Sequence, residues 1–95
     1  MPEAPRHERP PSQERLIFGR RLREERQKGG WTLEDLAAEA HMNWSYIAQI
    51  ERGERNLPID TMSLLAQALG VSLVSLLIEE ERAGQERQAG QGGTV

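Results

Sequence analysis

Between residues 14 and 82 the apolar positions of this chain recur three and four apart, and no stretch alternates with period two over five residues. Five short helices follow from that spacing. The first carries Leu16, Ile17, Phe18 and Leu22 and stops at Gly29-Gly30, a pair suited to a left-handed cap. Thr32 is placed to cap the second, with Asp35 at the capping-box position and Leu36, Ala37 and Ala40 on one face. Asn43 caps the third, which turns Ile47 and Ile50 inward with Tyr46 beside them and ends at Gly53. Pro58 leads into the fourth, with Met62, Leu65, Ala66 and Leu69 inward and Gly70 at its end. Ser72 caps the fifth, which buries Leu73, Leu76 and Leu77. The fold class expected is all-α, a compact five-helix domain over residues 14–82.

The flanks carry little to bury. Four of the five prolines lie within the first eleven residues, and four of the nine glycines follow residue 83. Residues 1–13 are therefore expected to be a disordered arm, and 83–95 a disordered Gly/Gln-rich tail. The apolar runs are too short for a transmembrane span or a signal peptide, so a cytoplasmic location is expected. Without cysteine there is neither a disulfide framework nor a thiolate zinc site.

Charge changes the picture only when it is divided. The net charge is −3, yet residues 1–30 carry eight basic and five acidic groups, whereas 31–58 and 59–95 each carry two and five. An acidic total argues against strong sequence-independent adhesion to nucleic acid but leaves room for local phosphate contacts. Helices two and three are joined by only Ala40-His41-Met42-Asn43, and two short helices so joined cross steeply, as in a helix-turn-helix.

Four strings carry more specific information: GRRLR..R at Gly19–Arg26, TLEDLA at Thr32–Ala37, SYIAQIERGERN at Ser45–Asn56 and LAQALGVSL at Leu65–Leu73. Together they make residues 17–78 resemble the Cro/lambda-repressor-like (Xre-type) helix-turn-helix family. The resemblance implies a helix-turn-helix over 33–52, with recognition helix 44–51 in the major groove of operator DNA. Family positions that face base edges fall on Trp44, Ser45 and Gln49. Those that meet phosphates fall on Asn43, Arg52, Arg55 and Asn56. The chemistry suits these roles, since glutamine reads adenine, serine serves either base type and an aromatic ring presses on a thymine methyl. The resemblance also implies an ion pair between Arg26 and Glu51, tying helix one to helix three.

Departures from the family pattern are visible. Leu33 stands where glutamine usually contacts phosphate, His41 where the turn usually has glycine, and Asn56-Leu57-Pro58 where Asn-Pro-Ser is frequent. The RN-L-x-I form also occurs among controller proteins of restriction–modification systems, in the same superfamily.

Other residues have plainer readings. Trp31 is expected in the core, His41 as a turn residue, Arg20-Arg21 on a solvated face, and Glu79-Glu80-Glu81 as a solvated helix end. Arg6 and Arg9, interleaved with Glu3 and Glu8, make a poor minor-groove arm. Val74 and Ile78 form a second apolar stripe on helix five beside Leu77, and these three are expected to form a homodimer interface. No catalytic set, metal cluster or phosphate-cradling glycine loop is present, so no enzymatic activity, cofactor, metal or small-molecule ligand is expected. The function expected is a sequence-specific transcriptional regulator. The competing class is a protein-interaction module, such as an antitoxin or bridging factor, on the same fold.

Overall fold

Three of the helices begin where a short polar side chain satisfies their first amides. Ser12 Oγ accepts from the Arg15 N–H at 3.1 Å. Thr32 and Asp35 close a reciprocal box, each side chain accepting the other's backbone N–H at 3.0 Å. Asn43 Oδ1 accepts from the Ser45 N–H at 2.8 Å. The fourth starts after Pro58, which has no side-chain cap but whose carbonyl accepts from Thr61 and Met62. The computed structural model, which describes residues 9–79, thus holds α1 (Gln13–Lys28), α2 (Leu33–Ala40), α3 (Trp44–Glu51) and α4 (Ile59–Leu69). No strand occurs among the described residues. The tail at 83–95 and residues 1–8 of the expected arm lie outside them, as do Glu80 and Glu81, whereas Ser12 and Gln13 of that arm cap and open α1.

A single core is assembled from Phe18 and Leu22 of α1, Leu36 and Ala37 of α2, Ile47 and Ile50 of α3, Leu65 and Ala66 of α4, and Leu76 beyond them. Trp31 and Leu33 pack against it, half-buried. Leu33 is therefore a core-edge residue in the place where the family has its phosphate-binding glutamine. Leu16 is a correction: it is exposed and lies over Gly53 at the end of α3 instead of joining the core.

The fifth helix is also corrected. Residues Val74–Leu77 form a four-residue 3-10 turn, not an α-helix. Four competing bonds explain it. Ser75 Oγ donates to the Ser72 carbonyl at 2.7 Å, and Ser72 Oγ accepts the Ser75 N–H at 3.2 Å, so both serines favour a tight turn. Arg21 Nε then donates to the carbonyls of Ser75 and Ile78, at 3.2 and 2.9 Å, removing oxygens that an α-helix would use. Arg21 is itself a departure from the expected solvated face. It is buried, and its guanidinium also meets Glu24 and Glu25 at 3.1 Å. Its neighbour Arg20 is exposed but paired with Glu79 at 2.7 Å.

α1 also meets α3 at very short range. A Cβ on Gly19 would overlap the Ile50 carbonyl oxygen and lie 2.8 Å from that of Glu51, so only glycine permits the approach. The turn between α2 and α3 uses no glycine. His41 takes up a left-handed conformation, φ 57° and ψ 46°, and the Met42 N–H reaches back to the Ala37 carbonyl.

Candidate nucleic-acid interface

α3 is short, and its two faces are sharply divided. Ile47 and Ile50 face the core, while Trp44 is 50% exposed and Ser45 is exposed beside it. Asn43 Oδ1 accepts both the Ser45 N–H and the Ser45 hydroxyl, whose oxygen lies 2.5 Å away. Asn43 therefore spends its oxygen on the helix cap and keeps its amide nitrogen as the donor for an outside acceptor. Gln49 is half-buried, not largely exposed as its assignment to a base edge suggests. It sits under the loop that leaves α3, where the Glu54 N–H folds back to the Gln49 carbonyl at 2.9 Å.

The helix is fixed from behind by Arg26 and Glu51. Arg26 Nε donates to Glu51 Oε2 at 2.6 Å and Nη2 to Oε1 at 3.1 Å, a fork-on-fork pair with side chains only 10% and 6% exposed. Arg26 Nη1 donates in addition to the Trp31 carbonyl at 2.9 Å, so one guanidinium joins α1, α3 and the start of the α2 segment.

The four residues assigned to phosphates differ in their surroundings. Asn56 is exposed on the loop after α3. Arg55 lies over the Tyr46 ring, 5.1 Å from its centroid. A stacked guanidinium keeps its in-plane N–H groups available. Arg52, by contrast, is held by Glu54, with Nε to Oε2 at 2.8 Å and Nη2 to Oε1 at 3.2 Å. Those hydrogen bonds, with the mutual Coulomb attraction, raise the Arg52 pKa and lower that of Glu54. A phosphate must compete with that carboxylate for Arg52. Sequence reasoning missed both the Glu54 partner and the Tyr46 seat. The signal for the first was an acid two residues beyond Arg52 across a glycine that reverses the chain.

Around this helix the described residues hold no cluster of metal-ligating side chains and no helix long and apolar enough to cross a membrane. Val74 and Ile78 are 66% and 43% exposed, whereas Leu77 is half-buried against the core. The expected stripe on one helix face is corrected with the helix: Val74 opens the 3-10 turn and Ile78 follows it in extended backbone, both exposed, while Leu77 packs against the core.

The chain is similar to several regulatory proteins. It is 41% identical over 64 residues to the control protein C.BamHI of Bacillus amyloliquefaciens, spanning 66% of this chain and 79% of that one. The clp gene regulator ClgR of C. glutamicum has a similar structure, with TM-score 0.69 and 31% identity over 74% of this chain and 90% of its own. So does the restriction–modification controller protein C.Esp1396I, solved as a tetramer with its natural 35-base-pair operator, with TM-score 0.64 and 34% identity over 68% of this chain and 86% of its own. The helix-turn-helix family model matches residues 22–76, which run from the middle of α1 to the C-terminal turn and include the whole of α2, α3 and α4. The chain belongs to the helix-turn-helix family of the Xre type.

Proposed function

We propose that the protein is a sequence-specific DNA-binding transcriptional regulator that grips operator DNA as a homodimer and carries out no enzymatic step. The observation that carries this reading is α3 itself. It is braced from behind by the buried Arg26–Glu51 pair and presents Trp44 and Ser45 on an exposed first turn. A short helix held so firmly, with a polar outer face, suits insertion into a major groove. Trp44, Ser45 and Gln49 read bases; Asn43, Arg52, Arg55 and Asn56 set the register on phosphates. The relatives support the same reading, since one structural neighbour was solved with its operator. Their restriction–modification controllers make such a system a natural setting for this chain too, and cytoplasmic action follows from that role.

The test is a gel shift on genomic fragments, including DNA upstream of the protein's own gene, followed by the Gln49→Ala variant. The variant should cost on the order of 1–3 kcal/mol at the retained fragment and much less on random DNA. Equal losses on both would remove Gln49 from base readout. Failure to retain any fragment, with co-purification of a protein instead, would favour the interaction-module class, for which the exposed Trp44 would be a contact.

A further inference from the structure

Arginines in the described structure fall into two groups. Arg20, Arg21, Arg26 and Arg52 each meet a carboxylate. Arg15, Arg23 and Arg55 appear in none of these pairs; Arg23 lies exposed on α1, whereas Arg15 and Arg55 line one cleft. It lies where the first turn of α1 faces the loop after α3. Its volume is about 150 Å³, with Phe18, Ile50 and Met62 as the floor and Arg15, Arg55 and Asn56 on the walls. That volume accommodates a phosphate group together with some of its water.

Arg15 is unusual in a second way. Its Nε is buried and has no hydrogen-bond acceptor among the described residues. Buried donors are nearly always paired, so this one calls for an acceptor that the described residues do not supply. Arg55 lies over the Tyr46 ring instead of forming a close pair with a carboxylate. A group with several oxygen acceptors, such as a phosphate, would satisfy the Arg15 donor while lying beside Arg55. Glu14 also lines the cleft, but it is exposed, and its place in the first turn of α1 is accounted for by the helix dipole.

We propose that this cleft seats one backbone phosphate of the bound duplex, held between Arg15 of α1 and Arg55 with Asn56 of the loop. The inference rests on the DNA-binding reading and extends it. It brings the start of α1, outside the helix-turn-helix, into the interface. A phosphate there would supply the acceptor that Arg15 Nε lacks, and it would receive planar N–H donors from both sides.

The duplex used for the test needs no operator sequence. Binding of the full chain to a random-sequence duplex three helical turns long is measured by anisotropy across a salt series. Arg15→Gln and Arg55→Gln should each lower the salt slope by about one, because each removes one phosphate contact. Arg15→Lys should restore most of the slope, Glu14→Gln should tighten binding, and Arg20→Gln, beside the C-terminal turn, should leave the slope unchanged. Thermal melts check folding. If Arg15→Gln melts early, Arg15→Met, which keeps the apolar stem, takes its place. An unchanged slope for Arg15→Gln beside a reduced one for Arg55→Gln overturns the cleft and leaves the DNA reading intact. A wild type that binds neither this duplex at low salt nor any fragment in the gel shift overturns both. Binding of inorganic phosphate at Arg15, seen by NMR while the duplex slope ignores the substitution, makes the cleft a free-anion site and also overturns the proposal.

Discussion

Arg26 and Glu51 stand 25 positions apart in sequence and meet through two hydrogen bonds in a nearly dry setting. Taking either away strands the other's charge. Glu51→Gln or Arg26→Met should therefore destabilise the fold by on the order of 3–5 kcal/mol in urea unfolding. The double replacement should cost less than the two single losses combined. Asp35 offers a contrasting case at the surface. Two hydrogen bonds from Thr32, the backbone one first, hold its carboxyl below the ordinary 3.8. A lowered folded-state value means that the charged form favours folding. That contribution is complete above the ordinary value and fades as the pH falls through the lowered one. Acid unfolding followed by circular dichroism should become shallower in this range for Asp35→Asn. The Arg26–Glu51 match was implied by family likeness, whereas the Thr32–Asp35 box followed from spacing alone. The Arg21 clamp was not legible at all, since nothing local says that an arginine will turn inward to meet carbonyls 54 and 57 residues away.

At the level of elements, four helices stood in the sequence because their caps and apolar spacing agree. The fifth did not survive, because its serines and Arg21 take backbone groups that an α-helix needs. Leu16 misled for a related reason: helical spacing places it near the inward face, but the closest partner there is Gly53, outside the core. The bend between α2 and α3 carries its own prediction. His41 occupies a left-handed region that costs a side-chain-bearing residue about 1–2 kcal/mol. Glycine relieves that cost but loses more backbone entropy. His41→Gly should thus raise stability by about 0.5–1 kcal/mol, read as a higher midpoint in thermal or urea unfolding. A lower midpoint would mean that the imidazole makes a contact worth more than the strain.

For the whole molecule, α1 is the common frame. Arg26 and Gly19 fasten it to the recognition helix, and Arg21 fastens it to the turn that exposes Val74 and Ile78. If two copies meet through these two residues, the Val74→Asp, Ile78→Asp double variant should sediment as a monomer at micromolar concentration where the wild type is a dimer. Identical sedimentation of the two, both as monomers or both as dimers, would mean that these residues are not the interface. The contact at Gly19 then has a mechanical consequence. It is backbone against backbone, so no rotamer change can slacken it, and each reading head is rigid with respect to its mounting. In such a dimer two heads would act like the fixed jaws of a caliper, set for half-sites about 34 Å apart. Any mismatch in spacing or angle falls on the duplex, which must twist or bend to meet them. Bends of 40–90° over a site of this kind cost of order 1–6 kcal/mol and depend on which base steps lie in between. The pliability of base pairs between the half-sites, which no side chain reaches, should therefore rank competing operators as strongly as the bases that are read directly.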